Sequence, residues 1–205
     1  LALYKKVLNI SPHDSGALHT LGELSEEKGL ITDAIKYYLA SADILSKEGK
    51  KDRILPIYEK ILSLSPRNIP LRNRVAEIFL KEGLISDACK EYAFIAGIYK
   101  EKGETERTRE YYQKILSIQP ANREAITGMS SLCQSTGDMA GAMDFASRAA
   151  ELFPDDLELL CRCGGLSLAA GDRETAKEYL QKVIERDPGH RQSRRLLGDI
   201  LLGEG

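Results

Sequence analysis

The chain has 205 residues, of which 42% are hydrophobic, and its 29 Lys and Arg residues against 31 Asp and Glu residues give a formal net charge of −2. This balance offers no general attraction to phosphate backbones or anionic membranes, so we expect no nucleic-acid partner. No stretch approaches the roughly 18 consecutive apolar residues of a membrane span, and residues 1–6 lack the order of a secretory signal, so we expect no membrane insertion.

The chain begins with a leucine and not a methionine, so we expect the true N-terminus to be absent from this sequence. All four cysteines lie inside helical patterns, not at the loop positions where disulfides are expected. We therefore predict free thiols and a cytoplasmic location. The cysteines are Cys89, Cys133, Cys161 and Cys163.

Five prolines divide the chain into steps of 54, 54, 34 and 34 residues. A fixed period of about 20–50 residues is typical of a solenoid, in which each unit buries its apolar face only by stacking on its neighbours. The sequence therefore predicts an all-α fold made of a row of helices. The prolines are Pro12, Pro66, Pro120, Pro154 and Pro188.

Between the prolines, each unit has a first helix with a small residue, a glycine break and a second helix that begins near an alanine. The first unit reads Leu18-x-x-Leu21-Gly22-x-x-Ser25, Gly29 and Ala34-x-x-x-Tyr38. The later units read Val75-Ala76-x-x-Phe79, Gly83 and Ala88-x-x-x-Tyr92; Met129-Ser130-x-x-Cys133, Gly137 and Ala142-x-x-x-Ala146; Cys163-Gly164-x-x-Ser167, Gly171 and Ala176-x-x-x-Leu180; and finally Leu197-Gly198-x-x-Leu201.

Polar residues near the predicted helix starts are suited to capping, because Asp, Asn and Thr side chains accept hydrogen bonds from the unpaired amides there. One such residue lies two positions after each of four prolines, and Thr32 with Asp33 is expected to cap the second helix of the first unit. The four residues that follow prolines are Asp14, Asn68, Asn122 and Asp156.

Each 54-residue step exceeds the 34-residue step by about one helix and a turn. We therefore predict three helices in each long unit, over 15–28, 31–48 and 51–64 and then over 69–82, 85–102 and 105–117. The middle helices are apolar around nearly their whole circumference, which is typical of a helix buried on both sides. We interpret each middle helix as shared by two overlapping repeats.

These residues resemble the tetratricopeptide repeat (TPR) family, whose signature is W-x2-L-G-x2-Y, A-x3-F and P over 34 residues. The resemblance covers essentially the whole chain, although there is no tryptophan. The resemblance implies a right-handed α-solenoid of antiparallel helix pairs, here with about 12 helices, and similar three-helix units occur in bacterial members. The aromatic position of the first helix is filled by Ser25, Phe79, Cys133 and Ser167.

We predict a single solenoid over residues 1–205 that is part of a longer chain. Its expected divisions are a partial repeat at 1–12, three-helix units at 15–66 and 69–120, repeats at 123–154 and 157–188, and a lone opening helix at 191–205.

Enzyme chemistry is not indicated, since no phosphate-binding loop, nucleophile elbow or paired-carboxylate motif appears. The histidines His13, His19 and His190 are widely spaced. His19 and Glu23, four residues apart on one helix, form either half a metal site or a surface pair, and the lack of a second ligand pair favours the surface pair. We therefore expect no catalytic residue, no metal and no cofactor.

The resemblance implies that a partner protein or peptide binds the concave face, which the first helices of the repeats line. The residues expected there are mixed in sign and lack the Lys/Asn/Arg arrangement that family members use for a C-terminal carboxylate. A solvated face without a ligand stays open as the alternative. The candidate binding residues are His19, Glu23, Glu26, Asn73, Glu77, Lys81, Thr127, Ser131, Gln134, Arg162, Arg195 and Asp199.

The two ends read as half repeats, because residues 1–10 resemble a closing helix and residues 191–203 an opening helix. Excision from a longer array explains both and is favoured, while head-to-tail self-association is the alternative. The sequence thus predicts a protein-interaction scaffold, with a self-assembling structural array as the second hypothesis.

Overall fold

A computed structural model describes residues 1–203 of the chain. In this range the chain forms twelve α-helices, one short 3-10 helix at Lys51–Arg53 and no strand. The predicted all-α class and the helix count are confirmed. The helices are α1 Ala2–Ile10, α2 Ser15–Glu27, α3 Ile31–Lys47, α4 Ile54–Leu64, α5 Ile69–Lys81, α6 Ile85–Glu101, α7 Thr105–Ile118, α8 Arg123–Ser135, α9 Met139–Leu152, α10 Leu157–Ala169, α11 Arg173–Arg186 and α12 Arg191–Leu202.

The helix starts that follow four of the prolines are capped as the sequence predicts. Asp14 accepts a hydrogen bond from the Ala17 amide at 2.9 Å. Asn68, Asn122 and Asp156 occupy the equivalent positions before α5, α8 and α10. Each cap satisfies one backbone amide that a helix start leaves unpaired, which fixes where the first helix of each repeat begins.

The turn between α2 and α3 shows one correct and one wrong prediction. Gly29 has φ +71°, a left-handed conformation that glycine adopts without steric cost, so the break falls where the sequence places it. Thr32 and Asp33, however, do not cap α3, because the helix begins earlier, after Leu30, and no side chain accepts a hydrogen bond at its start. The Gly29 turn leads directly into α3 and leaves no room for a capping residue at Thr32.

The helices form two compact units, Leu1–Glu91 and Tyr92–Gly205, whose boundary falls inside α6. In the first unit, α2 and α3 pack as an antiparallel pair, and α3 also contacts α4. The core of this unit includes Tyr58 and Phe79, whose rings meet edge to face at 5.6 Å between centroids. Ser41 donates a hydrogen bond from α3 to the backbone oxygen of Ser15 at 2.8 Å and so ties α3 to the start of α2.

The second unit repeats the pairing with α8 against α9 and α10 against α11, and α12 packs on α11. Ser130 donates a hydrogen bond to the Ala142 oxygen at 2.8 Å, and the Cys163 thiol lies 3.1 Å from the Ala146 oxygen. These buried contacts let polar atoms of α8 and α10 reach the backbone of α9. The small residues at Ala142 and Ala146 keep that backbone accessible.

The apolar residues of the two middle helices are almost all shielded from solvent. In α3, Tyr38 and Ala42 are fully buried, while Ile35 and Leu39 are half-buried. In α6, the apolar residues on which the prediction is based are buried except Phe94, which is 44% exposed. The division into three-helix units stays a prediction.

Paired helices approach each other closely at small residues of the first helix. A Cβ atom placed on Gly164 would lie 2.7 Å from Cγ of Leu180 on α11, and one placed on Gly22 would lie 2.6 Å from the Tyr38 ring. Glycine is therefore required at both positions for α10 and α2 to reach their partners. Gly198 occupies the same repeat position in α12 but has no atom within 4 Å of an added Cβ.

We predict opposite effects for alanine at these two matched glycines. Gly164→Ala overpacks the α10–α11 contact and should lower the free energy of unfolding by about 1–3 kcal/mol. Gly198→Ala meets open space and should raise the free energy of unfolding by about 0.5–1 kcal/mol, because glycine loses more backbone entropy in a helix. Urea unfolding of both variants measures the difference. Equal effects would contradict the close approach of α10 and α11.

Candidate functional site

The first unit contains an open groove of about 790 Å³ between α2, α3 and α4, which we call the α2 groove. Leu24, Pro56 and Ile57 give it an apolar part. Its charged part has three carboxylates and one ammonium group, so the groove is acidic. The charged residues are Glu23, Glu26, Glu27 and Lys60.

The floor of the α2 groove is a hydrogen-bonded cluster centred on Glu26. Lys60 contacts one carboxylate oxygen of Glu26 at 2.6 Å, and the Tyr38 hydroxyl donates to the other at 3.0 Å. The hydrogen bond from Lys60 lowers the pKa of Glu26, and the Tyr38 hydroxyl adds to this, while burial opposes it. Burial and the neighbouring Glu26 carboxylate raise the pKa of Tyr38. Glu26 is thus ionised and already satisfied.

The rim of the α2 groove carries the groups that remain available. Glu23 is 55% exposed on its side chain, and its carboxylate lies 3.6 Å from the His19 ring. The His19 ring in turn packs on Tyr38 at 5.3 Å between centroids. Within residues 1–203 no three His, Cys, Asp or Glu side chains meet in a group that could hold a metal ion. The groove therefore offers exposed carboxylates above a fixed floor.

The second unit contains a groove of about 510 Å³ between α8, α10 and α12, which we call the α10 groove. Thr127, Gln134 and Gln192 supply neutral polar groups, and Leu159 and Leu166 supply apolar surface. Two arginines, Arg123 and Arg162, line it as well. Unlike the α2 groove, this lining has two cationic groups, and its one carboxylate is that of the exposed Glu158.

The two arginines of the α10 groove differ in their partners. Arg123 makes two contacts with the Asp156 carboxylate, at 2.7 Å from Nε and 2.5 Å from Nη2. Arg162 is partly buried, and its Nε and Nη2 atoms are shielded from solvent and have no hydrogen-bond partner among the described residues. Burial lowers the pKa of Arg162. One cation in the groove is therefore compensated and the other is not.

The structure brings together half of the twelve residues predicted to form the binding face. His19, Glu23 and Glu26 line the α2 groove, and Thr127, Gln134 and Arg162 line the α10 groove. The other six lie outside both grooves, and their role stays a prediction. These are Asn73, Glu77, Lys81, Ser131, Arg195 and Asp199.

Sequence reasoning missed the groove residues contributed by helices other than the first helix of a repeat. Tyr38 on α3 and Lys60 on α4 both line the α2 groove. Tyr38 occupies the aromatic position of the A-x3-F pattern, and the pattern by itself does not indicate that its hydroxyl reaches Glu26. No signal in the sequence marks Lys60, because its role depends on the distance to Glu26, 34 residues earlier.

The four cysteines are free and buried. Burial raises the pKa of each thiol, and it raises the pKa of Cys163 to about 11. Cys161 borders the α10 groove but is only 1% exposed. None of these thiols is set up as a nucleophile, because the reactive form is the thiolate.

In the part of the chain that the structure describes, no helix combines the length and the apolar character needed to cross a membrane.

Two models described as tetratricopeptide repeat match the chain. One matches residues 35–68 and 92–122, and the other matches residues 166–205. Together these segments cover about half of the sequence and include parts of both units.

Among curated proteins, Protein CTR9 homolog of Arabidopsis thaliana is 27% identical to this chain over 119 residues. The match covers 55% of this chain and 11% of that protein. The chain thus spans about a tenth of the length of this relative.

Several solved structures are similar to the chain. YrrB, described as a TPR protein with an unusual peptide-binding site, has a TM-score of 0.50 and 14% identity, and the match covers 94% of this chain and 96% of that chain. The first TPR of Spaghetti (RPAP3), bound to the HSP90 peptide SRMEEVD, has a TM-score of 0.51 and 20% identity over 56% of this chain and 91% of that chain. The type IV pilus biogenesis factor PilW has a TM-score of 0.51 and 15% identity over 89% and 98% of the two chains. At these identities the likeness shows the fold alone.

We predict that the Glu26–Lys60 pair stabilises the fold in a pH-dependent way. Because the pKa of Glu26 is lowered in the folded chain, the pair contributes above the pKa of the unfolded carboxyl and is lost as the pH falls through the folded pKa. Lys60→Met should lower the free energy of unfolding by up to about 1 kcal/mol at pH 7, since the pair is partly exposed. The loss should shrink as the pH falls below about 4, near the ordinary pKa of a glutamate.

Urea unfolding of Lys60→Met between pH 7 and pH 3 measures this dependence. Lys36→Met, which removes an exposed lysine from α3, is the matched control and should show no such trend. A loss in Lys60→Met that is the same at every pH would contradict the ionic role of Lys60.

We also predict that the thiols are unreactive in the folded chain. At pH 7.5 the native protein should react with Ellman's reagent only as fast as it opens, because the thiols are buried and their pKa values are raised. In denaturant all four should react at once. Fast reaction of one thiol in the native chain would show that a cysteine, most directly Cys161 beside the α10 groove, is accessible.

Proposed function

The chain belongs to the tetratricopeptide repeat family, and from this premise we propose that it is a protein-interaction scaffold that binds an extended segment of a partner protein. Repeat proteins of this family are in general non-catalytic scaffolds. Stacked helical repeats present extended surfaces that suit a peptide segment. The RPAP3 structure is of a complex with a peptide, and YrrB is described as having a peptide-binding site, which supports the same mode for this chain.

The observation that carries the proposal is the construction of the α2 groove. Its volume of about 790 Å³ lies within the usual range of ligand sites, about 300–1,000 Å³. Glu26 is held by Lys60 and Tyr38, so the floor is ordered before a partner arrives. A preordered surface loses less conformational entropy on binding.

The charge of the α2 groove indicates the kind of segment that it binds. Glu23 and Glu27 are exposed carboxylates at the rim, whereas the one ammonium group, Lys60, is already paired with Glu26. An acidic tail would be repelled here, and a basic residue flanked by apolar ones would meet both the carboxylates and the apolar part. We propose that the partner segment is basic at this position.

The predicted binding residues that line neither groove have a secondary role in this proposal. Asn73, Glu77 and Lys81 follow one another on α5 at spacings of four, so they share one helix face. We propose that this face is a secondary contact for the same partner and that Ser131, Arg195 and Asp199 serve as contacts beside the α10 groove.

Self-association through the end helices is the second candidate function. α1 has no buried residue, and its Leu3 and Ile10 are 71% and 87% exposed. On α12, Leu201 and Leu202 are 57% and 83% exposed. Apolar side chains of this size, exposed on two different helices, favour a contact between molecules.

We expect the wild-type chain to retain a specific partner from a lysate of its native organism and Glu23→Lys to lose at least about nine-tenths of it, because the substitution reverses the charge at the groove rim. Glu59→Lys reverses an exposed charge on α4 outside the groove and is the matched control. Affinity capture with quantitative mass spectrometry compares the three baits. Equal recovery by all three would overturn binding through the α2 groove. Recovery of only the chain itself from every bait would put self-association first.

A further inference from the structure

His19 is the histidine that lines the α2 groove. Its ring packs on the Tyr38 ring at 5.3 Å between centroids, and its Nε2 atom lies 3.6 Å from a Glu23 carboxylate oxygen, one helical turn further along α2. This distance is longer than a hydrogen bond, so a neutral imidazole does not hold the carboxylate. The side chains of His19 and Glu23 are 40% and 55% exposed, so both a proton and a partner can reach them.

A proton on His19 changes the charge of the α2 groove in two ways. The imidazolium attracts the Glu23 carboxylate beside it and so competes with a partner for that group. It also adds a positive charge to a lining that otherwise has three carboxylates and one ammonium group. Both effects weaken the attraction of the groove for a basic side chain.

Histidine is the side chain that ordinarily changes charge between about pH 5.5 and 7.5, whereas carboxyl groups titrate near pH 4 and amines and guanidinium groups above pH 10. The charged residues that line a cavity together with His19 are Glu23, Glu26, Glu27, Asp52, Arg53 and Lys60, from α2, the short 3-10 helix and α4.

Two groups of the groove floor have pKa values that move further away from this range. The hydrogen bond from Lys60 lowers the pKa of Glu26, and burial raises the pKa of Tyr38, the titratable group that faces His19 from α3. Asp52 and Arg53 border a neighbouring cavity of about 270 Å³ that His19 also lines, and they are of opposite charge. The charge of the α2 groove near neutral pH is therefore set by the proton on His19.

We propose that a proton on His19 releases a basic partner segment from the α2 groove, so that the chain holds this partner near neutral pH and lets it go in mildly acidic solution. The inference rests on the proposed function and adds the regulation of its binding site. The neutral ring leaves Glu23 to the partner, and the imidazolium both attracts Glu23 and repels the cation of the partner. By linkage, binding of the basic segment must in turn remove protons from His19.

The test measures binding of a blocked peptide, acetyl-Ala-Leu-Lys-Leu-Lys-Leu-Ala-amide, to the full chain by isothermal titration at pH 7.5 and pH 5.5. The peptide has no group that titrates in this range, and a matched peptide replaces each Lys by Gln. The Kd of the Lys peptide should be about threefold to tenfold higher at pH 5.5, and the Gln peptide should show no such trend. At pH 6.5, titrations in buffers of low and high ionisation enthalpy should show that binding of the Lys peptide releases protons.

The readout for each variant is the ratio of its two Kd values, so a change in absolute affinity does not affect the comparison. His19→Gln should bring this ratio to about one and abolish proton release, because the side chain no longer titrates. His19→Lys, which carries a permanent cation, should also lose the pH dependence, but at pH 7.5 it should bind the Lys peptide at least about threefold more weakly than His19→Gln. His13→Gln removes an exposed histidine outside the groove lining and should keep the wild-type ratio and proton release.

The inference is overturned if the wild-type Kd is the same at both pH values, if wild type and His19→Gln show the same ratio, or if His19→Lys and His19→Gln bind equally at pH 7.5. These failures are separable from failure of the proposed function. If Glu23→Lys still loses the partner captured from the lysate while the wild-type ratio is near one, the scaffold stands and only its regulation by His19 is refuted. Absence of binding of the Lys peptide at pH 7.5 would refute the basic ligand of the α2 groove together with this inference.

Discussion

The structure depends on the close approach of the two helices within a repeat. Gly22 leaves space for the Tyr38 ring, and Gly164 leaves space for Leu180. At both places the first helix presents almost bare backbone to a large side chain of the second, so the contact is dense without any charged group. Because a repeat cannot bury its apolar face alone, this pairing sets the geometry on which the next helix packs.

The close packing of α2 against α3 also positions the side chains of the α2 groove. Tyr38 packs its ring against Gly22, and this places its hydroxyl within 3.0 Å of Glu26 on the opposite helix. Lys60 then completes the cluster from α4. Tyr38 thus belongs both to the core and to the floor of the α2 groove. The packing that orders the core therefore also orders this floor. The rim carboxylate of Glu23 lies outside this cluster and is 55% exposed on its side chain.

The two grooves differ in which charge is left unsatisfied. In the α2 groove the cation Lys60 is paired, and exposed carboxylates remain. In the α10 groove Arg123 is paired, and the cation Arg162 remains. The exposed Glu158 carboxylate also lines the α10 groove. The local charge of each groove is therefore set by which side chains are paired, and the net charge of −2 does not indicate it.

The sequence by itself determined the helix class, the breaks and most of the caps, because these depend on residues close together in the chain. Asn68 caps α5 through an amide three residues away, and Gly29 turns the chain through its own backbone angle. Its main local error, the capping role of Thr32 and Asp33, arose because the turn placed the helix start earlier. Only the tertiary structure decided that Lys60 meets Glu26 and that Arg162 meets no carboxylate. Both findings depend on where the side chains lie in the folded chain. The spacing of residues along the sequence does not specify these distances.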